Sequence, residues 1–372
     1  MSTAVRASSS PAPARSSSAP RVAVVGVTGA VGQEFLDILA QRNFPMACVK
    51  MLASARSAGK TVAFQGKDHT VEELTEKSFE GVDLALFSAG GSISKKFGPI
   101  ARDMGVVVVD NSSAFRQDPS VPLVIPEVNP QDLAGITLGS GKGAIIANPN
   151  CSTIIALVPV TPLHKAAGVK RMVVSTYQAA SGAGYQAMLE LEEQTKDALA
   201  GRPVQPKIFK QQYAFNLFSH NSPMGPNGYN EEEMKLIHET HKMWGYFKGT
   251  GAGVAVDPFD LPGAPKISAT CVRVPVMRAH AESITLTLGK ALSEDEARAI
   301  LAQAPGVTLL DDRANNRFPT PLDASGKDDV LVGRIRRDLS QDGGVGLSLF
   351  VAGDQLRKGA ALNAIQIAEA LL

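Results

Sequence analysis

The apolar positions of the chain fall into two kinds of segment from Arg21 onward. Short continuous apolar runs predict buried strands, and longer runs with apolar residues three or four apart predict helices. The first part of the chain therefore predicts strands at 21–25, 48–53, 82–88, 106–110 and 144–147, and helices at 33–42, 71–79, 93–104 and 153–167. Buried strands that alternate with helices are typical of a parallel, doubly wound α/β sheet.

The pattern changes after Cys151, where polar and apolar residues alternate along longer strands. Such strands are predicted at 171–177, 268–276 and 283–288, with helices at 185–199 and 231–244. This texture predicts a second, α+β domain with a mixed or antiparallel sheet. The Gly- and Pro-rich stretch 245–265 predicts an exposed loop. The last helix, at 359–372, has an apolar face that is expected to pack back on the first domain.

These patterns divide the chain into three parts. The first domain comprises 21–150 plus 354–372, and the second comprises 151–353. Residues 1–20 are rich in Ser, Ala, Pro and Arg, and the first acidic residue of the chain is Glu34. Two interpretations of 1–20 remain open, a disordered tail and an organelle transit peptide or part of one.

Composition narrows the function classes. The 372 residues contain 37 Lys and Arg against 36 Asp and Glu, so no global basic field favours nucleic acid or an anionic membrane. No apolar run is long enough to span a membrane. The three cysteines are too far apart for a zinc or redox motif, and their odd number argues against a disulfide scaffold. We therefore expect no metal.

Three glycines lie between the first predicted strand and the first predicted helix. Gly26, Gly29 and Gly32 would let the backbone turn sharply and approach a pyrophosphate, whose charge free amides at the helix start would stabilise. The interleaved residues Thr28, Ala30 and Val31 belong to the same predicted dinucleotide site. The alternative is a tight turn without a ligand.

The loop after the second predicted strand bears on cofactor preference. Enzymes that prefer NAD usually carry a carboxylate here, to bind the ribose 2′-hydroxyl. In this chain the loop offers Ser54, Arg56, Ser57 and Lys60 and no carboxylate. Hydroxyls and cations suit a 2′-phosphate, so the loop favours NADP, with a solvated polar loop as the alternative.

Cys151 lies between a predicted strand and a predicted helix, in the string ANPNCST. A thiolate at a helix N-terminus is stabilised by the helix dipole, so we expect a lowered pKa and a nucleophile. Cys48 and Cys271 lie within predicted strands and are expected to be ordinary buried core residues.

A nucleophilic thiol beside a nicotinamide suggests aldehyde and thioester chemistry. That chemistry needs an acid/base group, for which His280 is a candidate, although a lone histidine is more often structural.

A series of strings runs in order to the C-terminus: GVTGAVGQEFL, LASARSAGK, FSAGGSISKKFGP, DNSSAFR, ANPNCSTI, STYQAASGAG, NEEEMKLIHET, RVPVMRAHAES and DQLRKGAALN. Through these strings the chain resembles the aspartate-β-semialdehyde dehydrogenase family, most closely its NADP-dependent branch from plants and Gram-positive bacteria.

The resemblance implies a Rossmann-type NADP-binding domain, a catalytic and dimerisation domain, and a homodimer, with a tetramer as the alternative. It implies reduction of L-aspartyl-4-phosphate by NADPH to aspartate semialdehyde with release of phosphate, which feeds lysine, threonine, methionine and isoleucine biosynthesis. The nearest rival enzyme is N-acetyl-γ-glutamyl-phosphate reductase, whose substrate amine is acylated. A rival of another class is an NADP-binding or sensing protein without activity.

The resemblance also assigns site residues. Cys151 is implied as the nucleophile that forms a thioacyl enzyme, Gln178 as the residue that orients the intermediate, and His280 as the acid/base catalyst. Four residues are implied as substrate contacts: Arg273 for the α-carboxylate, Glu232 for the ammonium group, and Lys235 with Arg116 for the phosphate. Because Glu231, Glu232 and Glu233 are adjacent, the sequence leaves the register of the ammonium contact open. The residues implied to line the cofactor are Ser88, Gly90, Gly91, Ser181, Gly182, Gly184 and Asn363.

Two departures from the family pattern stand out: a longer loop at 246–265, and Asp354-Gln355 where the family commonly has Asp-Asn. The acid-free start and the plant-like texture favour the plastid stroma, with the bacterial cytoplasm as the alternative.

Overall fold

The computed structural model describes residues 19–247 and 261–372 and contains two sheets. The first has six strands, all parallel, in the order β5-β2-β1-β6-β7-β8. Its strands and helices are β1 Arg21–Val25, α1 Ala30–Gln41, β2 Cys48–Ala53, β5 Glu72–Glu73, β6 Leu84–Phe87, α2 Gly91–Asp103, β7 Val107–Asp110 and β8 Ala144–Ala147, with a separate hairpin of β3 Thr61–Phe64 and β4 Lys67–Thr70. Strands are added outward from β1 first on one side, as β2 and β5, and then on the other, as β6, β7 and β8. Doubly wound sheets bind nucleotides at this switch between β1 and β6.

The predicted helix at 71–79 is wrong. Glu72–Glu73 is an edge strand that pairs with Leu52 and Ala53, and only Glu76–Phe79 is helical, as one 3₁₀ turn. Thr75 and Ser78 close this turn by capping one another, and Leu74 donates its amide to the Ala53 carbonyl. Pairing with the sheet edge therefore takes the backbone hydrogen bonds that a helix would have used.

The second sheet has seven strands in the order β10-β11-β9-β12-β15-β14-β13 and is mixed, because the pairs β11·β9 and β13·β14 are parallel and the others antiparallel. Its elements are α3 Cys151–Ala167, β9 Val169–Gln178, α4 Tyr185–Leu199, β10 Phe218–Ser219, α5 Glu231–Met243, β11 Lys266–Arg273, β12 His280–Leu288, α6 Glu294–Ala302, β13 Val307–Leu309, α7 Pro321–Ala324, β14 Val330–Arg337 and β15 Gly346–Gly353. The fold is the predicted one, a parallel Rossmann-type domain joined to an α+β domain.

The final segment returns to the first domain, as expected from its apolar face. A π-helix at Arg357–Ala361 leads into α8 Leu362–Glu369. Leu362, Ile365 and Ala368 are buried in the same core as Val22 and Phe35 of β1 and α1. The chain therefore crosses from the second sheet back to the first domain just after Gly353.

Cys48 and Cys271 were both predicted to be buried core residues, and the structure confirms only one of the two predictions. Cys271 is fully buried in β11, as predicted. Cys48 is exposed at the first position of β2, so the prediction of a core residue is wrong. The strand assignment was right, but the apolar run that buries β2 begins only at Met51.

Some expectations lie outside the described residues. The first eighteen residues of the leader at 1–20, and 248–260 of the loop at 245–265, are among them. No helix in the described ranges is long and apolar enough to cross a membrane.

Candidate active site

A cleft of about 520 Å³ lies between the two sheets and collects most of the predicted chemistry. Its lining includes the residues that follow β6, β7 and β8 of the first sheet and the last residues of β9 and β11 of the second sheet. The predicted site residues that line it are Val31, Ser88, Arg116, Cys151, Gln178, Ser181, Gly182, Glu232, Lys235 and Arg273.

The glycine turn lies next to the cleft, since Gly26 packs against Ser88, a residue of the cleft lining. Gly26 has φ +87°, and a Cβ there would lie 2.3 Å from the Ser88 carbonyl oxygen. A Cβ on Gly32 would lie 2.2 Å from the Gly26 carbonyl oxygen, so both positions require glycine. Gly29 is the N-cap of α1, and no side chain caps this helix. The first-turn amides of α1 are therefore suited to an anionic group.

The loop after β2 lies beside this turn, because Gly26 and Val27 donate their amides to the Leu52 carbonyl. Ser54 and Arg56 are exposed there, while Ser57 is buried in the short 3₁₀ helix Ala55–Ser57. Arg56 is therefore an exposed cation on the loop that follows the strand paired with β1.

Cys151 is the first residue of α3, and it is half-buried in the cleft. Asn150 caps α3, accepting at its Oδ1 from the amides of Ser152 (3.0 Å) and Thr153 (3.3 Å). Gly359 of the π-helix packs against the cysteine, since a Cβ there would lie 2.9 Å from the Cys151 Cβ.

The expected lowering of the Cys151 pKa is wrong for this arrangement. Burial, with the charge of Glu232, raises the pKa of the thiol to about 12, and Arg273, Arg116 and the Ser152 amide oppose that rise only in part. The position at a helix start can be predicted from the sequence, whereas the burial of the thiol and the nearby Glu232 carboxylate depend on the tertiary fold. The resting residue is a thiol.

Glu232 is the hub of the substrate side. Its Oε1 accepts from Asn150 Nδ2 (2.8 Å) and Gln178 Nε2 (3.1 Å), and its Oε2 accepts from Lys235 Nζ (3.1 Å). Burial would raise the pKa of Glu232, but His220, Lys235 and these hydrogen bonds together hold it well below its ordinary value. The cleft therefore holds a fixed carboxylate.

The structure selects one register for the three adjacent glutamates. Glu231 is exposed, and Glu233 is used in a capping box with Asn230 and in accepting the Cys271 amide. Of the three, only Glu232 lines the cleft.

Strand register brings Arg273 and His280 to Gln178. Arg273 pairs directly with Gln178, and because Ala281 pairs with Tyr177, His280 lies next to Gln178 on the opposite side. Arg273 Nε donates to Asn221 Oδ1 (3.1 Å), and its Nη1 donates to the Ala179 carbonyl (3.1 Å). Three strand ends therefore carry three predicted site residues in one row.

His280 is fully buried, and the Ala179 amide donates to its Nδ1 (3.0 Å). Burial, and then Arg273, lower the pKa of His280 to about 3, so the ring is neutral and carries its proton on Nε2. Nε2 has no partner among the described residues. A Cβ on Gly182 would lie 3.0 Å from Nε2, so this glycine leaves space beside the ring.

Arg116 is buried beside the thiol. Its Nε donates to the Asn148 carbonyl (2.9 Å), its Nη2 to the Asn111 carbonyl (2.7 Å), and its Nη1 to Glu239 Oε1 (3.2 Å). Together with Lys235 and Arg273 it gives the cleft three cations, of which Arg116 and Arg273 act on the Cys151 thiol.

The remaining cofactor predictions are placed unevenly. Gly90 and Gly91 begin α2 without a side-chain cap, and Gly184 is the N-cap of α4. The structure does not bring Asn363 to the cleft. Its amide is fully buried and engaged by Lys358, Asn148 and the Val124 carbonyl.

Several cleft residues were not predicted. Gln355 lines the cleft, accepts the Ala279 amide (2.8 Å) and donates to the Ser181 hydroxyl. His220 and Asn221 come from an irregular loop that carries no sequence signal, whereas Asn150 could have been identified as an N-cap before a predicted helix. Within the described ranges, no group of three or more His, Cys, Asp or Glu could hold a metal ion.

Comparisons with known proteins find relatives that match most of the chain. The family described as semialdehyde dehydrogenase, NAD binding domain, matches residues 21–136, and that described as semialdehyde dehydrogenase, dimerisation domain, matches 160–358. An aspartate-semialdehyde dehydrogenase from Synechocystis is 50% identical over 352 residues, which cover 95% of this chain and 97% of that protein.

Solved structures are similar over the same length. Aspartate semialdehyde dehydrogenase II from Vibrio cholerae, solved in complex with ASA, is 43% identical with a TM-score of 0.85, covering 95% of this chain and 98% of that one. The enzyme from Candida albicans, solved with NADP, is 26% identical with a TM-score of 0.73, covering 95% and 98%.

Proposed function

This chain belongs to the aspartate-semialdehyde dehydrogenase family, and from that premise we propose that it reduces L-aspartyl-4-phosphate to L-aspartate 4-semialdehyde with NADPH, through a thioacyl intermediate on Cys151. Family membership makes it an oxidoreductase that acts on an aldehyde group, in amino-acid biosynthesis. One observation carries the finer proposal: Cys151, Gln178, Glu232, Lys235, Arg116 and Arg273 line a single cleft beside the glycine turn.

The cleft contains complementary groups for each part of the substrate. Arg273, held by Asn221 and the Ala179 carbonyl, would bind the α-carboxylate, and Glu232 would bind the ammonium group. Lys235 and Arg116 would bind the phosphate. Since Glu232 and Lys235 pair with each other, substrate binding would exchange one partner for another at both charges and leave neither unpaired.

The chemical step begins with the Cys151 thiol attacking the acyl phosphate, which forms a C–S bond and releases phosphate. Burial disfavours a free thiolate, so we propose that the S–H proton passes to the departing phosphate as the C–S bond forms and the acyl C–O bond breaks. Arg116 and Arg273 oppose the effect of burial and so stabilise the developing negative charge. Gln178, whose Oε1 accepts from Thr176 (3.3 Å) and whose Nε2 donates to Glu232, has a fixed carboxamide that can orient the thioacyl group.

We propose that His280 is the acid/base partner. Its Nδ1 accepts the Ala179 amide, so the ring exchanges protons at Nε2, and the resting tautomer is that of a donor. That tautomer donates a hydrogen bond from Nε2–H to the substrate oxygen as negative charge develops there, and proton transfer from Nε2 follows once the ring has taken up a second proton.

The residues of the first domain fit a dinucleotide, since the glycine turn is a cradle that a Cβ would fill and α1 begins without a side-chain cap. NADPH, when bound, would supply the hydride that reduces the thioacyl carbon. Arg56 with Ser54 would hold the 2′-phosphate, which supports NADP over NAD, as does the relative solved with NADP.

We also propose a homodimer, supported by the dimerisation-domain match. The relatives reported above from Synechocystis and Vibrio cholerae support the bacterial cytoplasm over the plastid stroma as the location.

The deciding experiment measures NADPH formation from aspartate semialdehyde, inorganic phosphate and NADP, with the N-acetylated glutamate analogue as a second substrate. We expect turnover of the free amine only, because Glu232 is a buried carboxylate in the cleft. No turnover of aspartate semialdehyde, or preference for the acetylated compound, would contradict the proposal.

A further inference from the structure

Glu239 is a buried carboxylate beneath the active site. It lies on α5, seven residues after Glu232 and four after Lys235, and therefore on the same face of that helix. It is fully buried, and it does not line the cleft that Glu232 and Lys235 line. The mechanism described above does not use it.

Both oxygens of Glu239 are engaged, and each partner belongs to the site. Oε2 accepts the backbone amide of Asn150 at 2.6 Å, and Oε1 accepts from Arg116 Nη1 at 3.2 Å. Asn150 is the residue that caps the Cys151 helix. One carboxylate therefore holds both the turn that presents the nucleophile and the arginine assigned to phosphate.

The contact between Glu239 and Arg116 determines which N–H groups of the guanidinium remain available to bind an anion. A guanidinium has five N–H groups. Within the described part of the chain, Arg116 uses three of them, on Glu239 and on the carbonyls of Asn148 and Asn111. Since Arg116 lines the cleft, the other two remain for an anion.

The same helix holds the main chain of Arg116. Lys242, three residues after Glu239, donates to the carbonyls of Arg116 (2.7 Å), Asp118 (2.7 Å) and Val121 (2.8 Å). The backbone and the side chain of Arg116 are thus both tied to α5, which also carries Glu232 and Lys235.

We propose that Glu239 is a positioning residue that sets the anion-binding edge of Arg116 and the N-cap of the Cys151 helix in one fixed relation. The proposal rests on the function proposed above, in which Arg116 binds phosphate and Cys151 is the nucleophile. It assigns Glu239 no contact with the substrate.

The test is Glu239→Gln. A carboxylate accepts at both oxygens, whereas a carboxamide accepts at one and donates at the other, so glutamine cannot satisfy Asn150 and Arg116 together. We expect the amide oxygen to stay on the Asn150 N–H and Arg116 to shift. The KM for inorganic phosphate should then rise about tenfold, while the KM for NADP and the melting temperature change little.

A second measurement does not depend on turnover. The rate of Cys151 alkylation is followed at increasing inorganic phosphate, and the concentration for half-protection should also rise about tenfold in Glu239→Gln. The matched control is Glu282→Gln, a buried glutamate whose oxygens contact neither Arg116 nor Asn150. It should leave half-protection within twofold of the wild type.

Half-protection within twofold of the wild type in Glu239→Gln would overturn the proposal, whether or not the enzyme turns over. If wild type fails with aspartate semialdehyde but the tenfold difference in protection is present, the proposed function fails and the positioning role stands. If Glu239→Gln does not fold, Glu239→Asp serves the same test, since its two oxygens lie one bond further from both donors and the same rise is expected.

Discussion

The candidate site has two sides, and one is formed by the backbone whereas the other is formed by side chains. The proposed cofactor side is backbone: Gly26 and Gly32, next to the cleft, allow close approach, and the start of α1 offers amides. The proposed substrate side is a set of side chains from both domains: Arg116, Cys151, Gln178, Glu232, Lys235 and Arg273 line the cleft, and His280 is buried beside Gly182. The first side depends on where a Cβ is absent, and the second on which chemical groups are present.

This contrast predicts that the two sides fail differently. A substitution on the backbone side should weaken cofactor binding through sterics and leave thiol chemistry in place. A substitution on the side-chain side should remove chemistry while the cofactor still binds.

The largest effect should come from Cys151→Ala. We expect turnover to fall by at least about 10⁴-fold, because no other group in the site can form the thioacyl bond, while the NADPH dissociation constant stays within about threefold. Steady-state assays and fluorescence titration measure the two. Cys48→Ala, at an exposed position, is the control and should be neutral. Parallel losses of turnover and NADPH binding would make Cys151 structural.

Gly26→Ala is the corresponding break on the backbone side. A Cβ 2.3 Å from the Ser88 oxygen, at φ +87°, forces the turn to move, and NADPH binding should weaken by about 100-fold. Gly29→Ala is the matched control, because its Cβ would lie 3.3 Å from the nearest atom, the Gly26 oxygen, and it should lose only a few-fold. Equal losses in the two variants, by titration, would remove the steric argument.

The pH dependence should belong to the side-chain side. His280 has a pKa of about 3 when folded against an ordinary 6.5, so the unfolded chain takes up a proton that the folded chain does not. Its contribution to stability is complete above pH 6.5 and is lost as pH falls towards 3.

Between pH 7 and 5.5 the wild type should therefore lose about 1 kcal/mol more unfolding free energy than His280→Asn. Urea unfolding at the two pH values measures the difference. Identical losses would mean that His280 is protonated in the folded protein.

The smallest effect should come from Arg56→Asp, at the exposed edge of the backbone side. Replacing a cation by a carboxylate should repel a 2′-phosphate and shift kcat/KM towards NAD by about fivefold. Lys60→Ala, in the same loop, is the comparison. No shift in cofactor preference would place the 2′-phosphate contact elsewhere.

The backbone side was predictable because its signal is local. A strand, three spaced glycines and a helix are adjacent in sequence, and the structure has the strand at the predicted position, while the helix begins at Ala30 instead of 33, so that Gly32 lies in its first turn. The failure at 71–79 arose where an edge strand took the hydrogen bonds of a predicted helix. Cys48 shows that a correctly predicted strand does not fix the burial of each of its residues, since β2 begins at Cys48 but this first residue is exposed.

The side-chain side was predictable only through resemblance. Arg273, Gln178 and His280 become neighbours through sheet register, which no local pattern encodes. The raised pKa of Cys151 depends on Glu232, eighty-one positions away, and on burial. Glu239 had no signal of its own, because its role follows from two partners on other segments.

The packing of Gly359 against Cys151 has a consequence for the order in which the molecule matures. The nucleophile and the residue that covers its flank are separated by 208 positions, so their contact is strongly non-local. A ribosome would release the thiol-bearing helix long before 354–372 emerges from the exit tunnel. A growing polypeptide can therefore pair the strands of its first sheet early, but both the core behind β1 and α1 and the reaction centre stay incomplete until that late segment docks, so a chain cut short before residue 354 would lack a finished site.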